Sequence, residues 1–225
     1  MYTPEGTMGQ PPKLTTTSFV ILGHLALRDW STYELAQQMK RSTRFFWPRA
    51  QSKIYEEPKK LAAHGLATAT REYTGRRPRT TYAITPKGRE ALGRWLEEPT
   101  QLPVVEFDAA VKVQFAEQGT KAQLLATLRS VRDQAERSRD EHVALAADLA
   151  TTGGPFPDRL HVNELVMKFM WEQTETVIRW AEWAENQVAG WPEDIQLPAG
   201  PQVGDFLQTA SEARPSSASS ARRHP

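Results

Sequence analysis

The chain has 225 residues, 39% of them hydrophobic, and 28 Lys and Arg nearly balance 27 Asp and Glu, as is ordinary for a globular protein of one domain or two small ones. The absence of cysteine excludes disulfide bonds, thiolate zinc sites and a cysteine nucleophile. Neither a secretory signal pattern nor an apolar stretch long enough to span a bilayer is found, so we expect a cytoplasmic protein.

The near-neutral total hides a segregation of charge along the chain. Residues 37–94 hold 14 Lys and Arg against 4 Asp and Glu, and the remainder is acidic. A basic block beside an acidic remainder indicates one part that meets a polyanion. A solvated basic face without a partner would have the same composition, so composition leaves both interpretations open.

The first predicted elements are helices. Residues 1–13 are rich in Pro and Gly and are predicted to form a disordered arm. A helix is predicted to start at Thr15–Ser18, and a second one at Ser31, which has the spacing of a capping box with Glu34.

A third helix is expected over residues 49–64, after Pro48 and before Gly65. Pro58 interrupts it and lacks the N–H that would bond to the carbonyl of Ile54. We therefore expect a kink or a tightened turn at Pro58.

A β-hairpin is predicted next. Residues 66–73 and 79–84 are threonine-rich, and the segment 74–78 between them contains Gly and Pro, which is typical of two strands around a turn. Thr85 followed by Pro86 then predicts the start of a fourth helix.

Long helices are predicted beyond residue 103. A short helix is expected over 107–117, and longer ones over 120–150 and 158–190. The helix over 120–150 carries apolar residues at alternating spacings of 4 and 3, which indicates a heptad seam. The seam consists of Leu124, Leu128, Val131, Ala135, Ser138, His142, Leu145 and Leu149, and the polar residues Ser138 and His142 weaken its middle.

The fold class is therefore mainly α. Residues 14–99 are predicted to form an N-terminal winged helix-turn-helix with a two-stranded β-hairpin wing. Residues 104–191 are predicted to form a C-terminal long-helix domain for dimerisation and effector binding, followed by a disordered tail over 192–225.

A winged helix-turn-helix places its third helix in the major groove and its wing on the backbone or the minor groove. Short polar side chains near the start of the third helix suit base reading, and arginines at the wing tip suit phosphates. The candidate DNA-binding residues from the third helix and the wing are Arg49, Gln51, Ser52, Lys53, Arg76, Arg77 and Arg79.

The chain resembles the PadR-like transcriptional regulators from about Ser18 to Leu96. The motifs that carry the resemblance are ILGHLAL, TYELAQQM, SKIYEEPKKLAAHGLA and RPRTTYAITPKGREALGRWL. Two positions depart from the family pattern, with Thr32 in place of a usual glycine and Pro58 in place of a usual leucine.

The resemblance implies a bacterial repressor that binds a pseudo-palindromic operator as a homodimer and is released by a small molecule in many members. By position it also makes Tyr33 and Tyr55 candidates for phosphate or groove contacts. Both could instead be aromatic residues that pack the second and third helices together.

The long helices admit two interpretations. They could pair with a second copy across a two-fold axis, or fold as a self-sufficient antiparallel hairpin; we expect dimerisation because two helices alone make a thin core. Aromatic side chains there and in the predicted fourth helix could hold a small hydrophobic or aromatic effector, although interface packing would also explain them. The effector candidates are Trp95, Phe169 and Trp171.

We expect no enzyme activity, cofactor or metal, because the five histidines are scattered and no phosphate loop or nucleophile elbow is present. His142 and His161 could approach each other across the Gly153-Gly154 turn, which leaves a metal-binding pair as an alternative. The alternative function is a protein-interaction module that uses the winged helix as a scaffold and the long helices as a coiled-coil-like pair.

Overall fold

A computed structural model describes residues 13–47, 53–74, 77–196, 207 and 209, without the side chains of 72, 74, 77 and 78. The chain divides into two compact units, Met1–Pro103 and Val104–Pro225. The arm predicted over 1–13 and the tail predicted over 192–225 lie mostly outside these described residues, so both remain predictions.

The N-terminal unit contains four helices and three strands in the described ranges. The elements are α1 (Thr16–Leu27), β1 (Trp30–Ser31), α2 (Thr32–Arg41), α3 (Glu57–Ala63), β2 (Ala67–Thr74), β3 (Arg77–Ile84) and α4 (Pro86–Glu97). This order is that of a winged helix-turn-helix, and the predicted mainly α fold class with a hairpin wing is confirmed.

The wing is part of a three-stranded antiparallel sheet with the order β1-β3-β2. The β2–β3 hairpin agrees with the prediction, with Ala67 opposite Ile84 at one end and Thr74 opposite Arg77 at the other. The short strand β1 was not predicted, because its two residues pair only with β3, where Trp30 faces Tyr82 across the sheet. Two residues are too few to show a period-2 pattern in the sequence.

The core of this unit forms where the helices meet the base of the wing. Trp30 and Tyr82 are both buried, and the Trp30 indole Nε1–H donates to the carbonyl of His24 at 2.7 Å. The apolar residues that share this burial are Ile21, Leu22, Leu25, Leu35, Met39, Ile54, Leu61, Leu66 and Ala67. The wing is therefore held rigidly to the helices at its base.

The predicted helix over 49–64 is wrong in its length. Residues 48–52 lie outside the described part of the chain, residues 53–56 form a turn, and α3 begins only at Glu57. Pro58 stands at the second helical position, where its missing N–H removes no helical hydrogen bond. The proline therefore favours a helix start at Glu57, and the expected tightened turn precedes it.

The end of α3 and the start of α4 are joined by backbone contacts. Gly65 has φ of +70°, the left-handed conformation that favours glycine, and Leu66 N–H donates to the carbonyl of Leu61 at 2.9 Å. The Thr85 hydroxyl donates to the carbonyl of Gly65 at 2.7 Å and accepts from Gly88 N–H at 3.0 Å. The Thr-Pro-x-Gly motif thus fixes α4 beside the end of α3.

The C-terminal unit is helical. Its elements are α5 (Asp108–Gln114), α6 (Lys121–Thr152) and α7 (Leu160–Ala189), close to the predicted ranges but each starting one or two residues later. Ion pairs join Arg132 to Glu185 at 2.8 Å and Arg139 to Glu175 at 3.8 Å, in reversed chain order, so α6 and α7 run antiparallel.

The heptad seam of α6 packs partly within the chain. Leu124 and Leu128 cluster with Ala184 and Val188 of α7, and the seam residues from Val131 to Leu149 are buried or half-buried. This agrees with the hairpin interpretation for the seam itself. Large apolar side chains nevertheless remain exposed in this unit, among them Val111, Phe115, Val143, Val162, Leu165, Val166, Phe169, Trp183 and Trp191.

Candidate nucleic-acid interface

The predicted DNA-binding residues fall into two groups in the structure. Arg49, Gln51, Ser52 and Arg76 lie outside the described residues, and only the backbone of Arg77 is described. The structure locates the side chains of the others, which are Tyr33, Lys53, Tyr55 and Arg79.

The turn before α3 presents two of these side chains to solvent. Ile54 is buried, whereas Lys53 and Tyr55 on either side of it are exposed. Glu56 N–H donates to the carbonyl of Lys53 at 3.2 Å and closes the turn. Burial of one apolar side chain therefore directs its two neighbours outward, where they can meet a polyanion.

Tyr33 lies in the first turn of α2 with 68% of its surface exposed. Tyr55 is 58% exposed. This exposure argues against the alternative in which both tyrosines serve mainly to pack the second and third helices together. It leaves both available for phosphate or groove contacts.

Glu34 joins the wing to the start of α2. Its carboxylate accepts from the Ser31 N–H at 3.0 Å and from the Ser31 hydroxyl at 2.7 Å, which completes the predicted capping box. The same oxygen accepts from an Arg79 guanidinium N–H at 2.6 Å. Arg79 is thus held next to the helix turn that carries Tyr33.

These contacts also set the charge of Glu34. The pKa of Glu34 is lowered from its ordinary value by the hydrogen bonds from Ser31 and, less strongly, by the positive charges of Arg79 and Arg28. A lowered pKa keeps the carboxylate ionised at neutral pH and available to Arg79. A guanidinium has five N–H donors, so the bond from Arg79 to Glu34 leaves donors for a phosphate.

The Glu34–Arg79 pair was missed by sequence reasoning. The two residues are 45 positions apart, and the sequence predicted only a DNA contact for Arg79. For Glu34 it predicted only the local role in the capping box, which a spacing of three residues reveals. A contact between α2 and β3 joins residues far apart in the chain, so no local spacing in the sequence reveals it.

The three effector candidates lie in different surroundings. Trp95 stacks on Phe19 in the N-terminal unit, with ring centroids 4.8 Å apart and planes 5° from parallel. Trp171 is half-buried in α7, and Phe169 is 45% exposed in the same helix. Of the three candidates, Phe169 alone lines the large groove of the C-terminal unit.

That groove is open and has a volume of about 850 Å³. Its aromatic wall consists of Phe107, Phe169 and Trp180, and the rings of Phe107 and Trp180 meet edge to face at 5.4 Å. Gln134, Ser138, Glu172, Gln173, Thr174 and Thr176 supply polar groups. Apolar walls with a few polar groups are typical of small-molecule sites.

No group of three or more potential metal ligands occurs among the residues that the structure describes, so the His142 and His161 alternative gains no support. Within those same ranges, no helix is both long and apolar enough to cross a membrane.

Comparison with known families gives two adjacent matches. Residues 21–94 match the transcriptional regulator PadR-like family, and residues 108–189 match the family described as virulence activator alpha C-term. A probable transcriptional regulator of Mycobacterium tuberculosis is 29% identical over 133 residues, which cover 54% of this chain and 70% of that protein.

A second relative is the negative transcriptional regulator PadR of Bacillus subtilis. It is 30% identical over 86 residues, covering 38% of this chain and 47% of that protein. Its structure in complex with operator DNA has a TM-score of 0.67 at 22% identity and covers 77% of this chain and 99% of that one. Its structure in complex with p-coumaric acid has a TM-score of 0.62 at 20% identity and covers 80% and 99%.

The virulence activator AphA of Vibrio cholerae has the same fold. Its structure has a TM-score of 0.63 at 21% identity and covers 77% of this chain and 98% of that one. The fold is thus shared by a negative regulator and by an activator.

Proposed function

Since the chain belongs to the PadR-like family of transcriptional regulators, we propose that it is a repressor that binds a pseudo-palindromic operator as a homodimer. We further propose that a small hydrophobic or aromatic effector releases it from DNA. This proposal places the protein in the bacterial cytoplasm, on the nucleoid when it is bound to DNA.

One observation carries the DNA-binding part. Arg79 of the wing is joined to Glu34 in the first turn of α2, and Tyr33 in that turn is exposed. Lys53 and Tyr55 are exposed just before α3, in the block of the sequence that is strongly basic. Basic and hydroxyl-bearing side chains are those that contact phosphates in protein–DNA complexes.

Exposed apolar side chains of α7 support the homodimer. Val162, Leu165, Val166 and Phe169 recur at spacings of three and four residues, so they share one face of the helix, and all are at least 37% exposed. A second copy that covered this face would remove apolar surface from water. A dimer of this kind suits two half-sites that are spaced near one turn of DNA, roughly 34 Å.

The open groove supports an effector. Phe107, Phe169 and Trp180 offer rings on which a planar molecule stacks, and the neighbouring amides and hydroxyls offer hydrogen bonds. The related PadR binds p-coumaric acid, which is a planar aromatic molecule. We therefore assign the effector to this groove rather than to Trp95, whose ring is already stacked on Phe19.

The DNA-binding proposal is tested by selecting duplexes from a randomised pool with the unaltered chain. We expect enrichment of an inverted repeat. Replacing Arg76, Arg77 and Arg79 by Ala together should weaken binding to the selected duplex and to a scrambled duplex alike. The salt slope should fall by about one for each phosphate that the variant no longer binds.

Arg94→Ala is the matched control, because Arg94 is an exposed arginine of the same unit that pairs with Glu90. If the triple variant bound DNA as the unaltered chain does, the assigned face would be wrong and the interaction-module alternative would be favoured. Effector binding is tested by titrating p-coumaric acid and uncharged aromatic compounds while following Trp180 fluorescence, with Trp180→Phe as the control.

A further inference from the structure

Two arginines lie beside the two oxygens of one carboxylate, where the wing meets the start of α2. The Arg79 Nη2 atom is 2.6 Å from Oε2 of Glu34, and the Arg28 Nη1 atom is 3.9 Å from Oε1 of the same side chain. Both oxygens belong to one rigid planar group, so the two guanidinium groups stand side by side. The three residues come from the end of α1, the first turn of α2 and strand β3.

An aromatic ring also holds the Arg28 guanidinium. Its Cζ atom lies 3.6 Å from the centre of the Trp30 ring, which is the distance of a cation–π contact. Trp30 is buried, and its indole N–H donates to the carbonyl of His24, so the ring is itself fixed. Arg28 is therefore held between a ring and a carboxylate.

The two arginines nevertheless remain accessible. Their side chains are 49% exposed in Arg28 and 44% exposed in Arg79. A guanidinium has five N–H donors, and the contacts with Glu34 use only some of them. Tyr33, which precedes Glu34 in the same turn, is exposed as well. Guanidinium groups that are held in place but exposed, with a hydroxyl group nearby, are suited to the phosphates of a DNA backbone.

Glu34 is itself positioned without the arginines. Its carboxylate accepts from the N–H and the hydroxyl of Ser31, and these bonds lower its pKa more than the arginines do. The carboxylate is therefore ionised at neutral pH. An ionised acid on a surface that binds DNA repels phosphates, which weakens binding unless the acid has another role. Holding two like-charged guanidinium groups side by side is such a role.

We propose that Arg28 is a further phosphate-contacting residue, and that Glu34 is a positioning residue that holds Arg28 and Arg79 as a pair for the DNA backbone. This inference rests on the proposed function. Glu34 then favours DNA binding despite its negative charge, because arginines that are ordered beforehand lose less conformational freedom on binding. The pair contacts the backbone, so it contributes equally to binding of any base sequence.

The first test replaces Arg28 by Gln, which removes the charge but keeps an apolar stem beside Trp30. The probes are the duplex that the unaltered chain selects from a randomised pool and a scrambled duplex of the same composition. We expect affinity for both duplexes to fall about three- to tenfold, the equivalent of one hydrogen bond, and the salt slope to fall by about one. Arg94→Gln is the matched control, since Arg94 is an exposed arginine that also pairs with a glutamate, and it should leave affinity within about twofold.

The second test compares two changes that each remove one negative charge from the stretch 28–34. Glu34→Gln keeps an oxygen that can accept from Ser31 but loses the ion pairs with both arginines. Asp29→Asn is the control, because Asp29 is an exposed acid directly after Arg28 in the chain. Electrostatic repulsion alone predicts tighter DNA binding for both variants. We expect slightly tighter binding for Asp29→Asn only, and about two- to tenfold weaker binding for Glu34→Gln, the cost of ordering a long side chain that is no longer held.

A third comparison separates positioning from helix stability. In a chain that carries Arg28→Gln and Arg79→Gln, Glu34 has neither arginine to hold, so adding Glu34→Gln should no longer weaken DNA binding. If the weakening persisted there, Glu34 would act through the capping box of α2, and the positioning role would be overturned. All affinities are measured well below the unfolding transition of each variant.

Two further outcomes would overturn the inference and leave the proposed function standing. One is tighter DNA binding by Glu34→Gln in the otherwise unaltered chain, and the other is an unchanged affinity and salt slope for Arg28→Gln. Failure of the unaltered chain to bind any duplex would instead overturn the proposed function, and this inference with it.

Discussion

Among the glycines in the described part of the chain, Gly88 is the one at which an added methyl group would conflict most severely with the fold. A Cβ atom built on it would lie 2.1 Å from the carbonyl oxygen of Leu66, which is backbone and cannot move aside as a side chain would. The close approach exists because Thr85 bonds to the loop after α3 while capping α4. Glycine is therefore required at position 88 by the close contact between α4 and the loop after α3, and not by the conformation of α4 itself.

We expect Gly88→Ala to lower the free energy of unfolding of the N-terminal unit by about 2–3 kcal/mol, as for other overpacked sites. Gly93→Ala is the matched control, because Gly93 lies in the same helix with no atom within 4 Å of a Cβ. Gly93→Ala should raise the free energy of unfolding of this unit by about 0.5–1 kcal/mol, because Ala has a higher helix propensity than Gly. Thermal unfolding of both variants measures these changes. Equal changes in stability for the two variants would contradict a clash between the methyl group added at position 88 and the backbone of Leu66.

Glu34 is the residue whose titration should be visible in stability. Its folded-state pKa is lowered below the ordinary 4.5 by the hydrogen bonds from Ser31 and then by Arg79. A group with a lowered folded-state pKa stabilises the fold above its unfolded-state pKa, and this contribution is lost as pH falls through the folded-state pKa.

We therefore expect the unaltered chain to be more stable than Glu34→Gln at neutral pH, with a difference that shrinks as the pH is lowered below about 4.5. Urea unfolding at a series of pH values measures this difference. A difference that stays constant down to strongly acidic pH would show that the charge of Glu34 is not what stabilises the wing junction.

At the level of elements, α6 and α7 depend on a small set of shared apolar residues. Leu128 is fully buried, and it clusters with Leu124, Ala184 and Val188. Ion pairs between the helices, such as Arg132 with Glu185, lie partly in solvent. Partly exposed ion pairs contribute little, so the apolar cluster supplies most of the attraction between these helices.

Leu128→Ala should therefore lower the free energy of unfolding of the C-terminal unit by about 2–5 kcal/mol, the range for buried Leu. Val143→Ala is the control on the same helix, since Val143 is 49% exposed. Chemical denaturation followed by tryptophan fluorescence reports on this unit through Trp171, Trp180 and Trp183. A comparable cost at Val143 would mean that its exposed face is covered in the native assembly.

At the level of the whole molecule, the exposed apolar face of α7 predicts the state of assembly. We expect light scattering to give about twice the chain mass of 25.4 kDa. Leu165→Glu should shift the protein toward the mass of one chain, because a carboxylate on an apolar interface is not paired. Glu164→Gln, an exposed neighbour in the same helix, should leave the mass unchanged.

The Leu165→Glu variant should also lose most of its affinity for a full inverted repeat but keep its affinity for a single half-site, since each DNA-binding unit stays intact. A variant that remained a dimer would move the interface away from this face of α7.

Much of the architecture follows from local patterns in the sequence. Each helix cap is local in sequence, because the side chain accepts from an N–H group three residues further on. The capping residues are Thr15, Ser31, Thr85 and Thr120. The period of apolar residues likewise indicated the helices, and threonine-rich stretches on both sides of a Gly- and Pro-containing turn indicated the hairpin.

Other features of the fold became visible only in the tertiary structure, because they are contacts between residues that are far apart in the sequence. The pairing of β1 with β3, the Glu34–Arg79 ion pair and the attachment of Trp47 and Glu57 to α1 join residues 30 to 52 positions apart. A single sequence shows no periodic pattern for such contacts, because they depend on how helices and strands that have already formed pack against each other. Local hydrogen bonds and the local period of apolar residues therefore determined which elements form, whereas packing decided which polar side chains are held in place and which remain exposed.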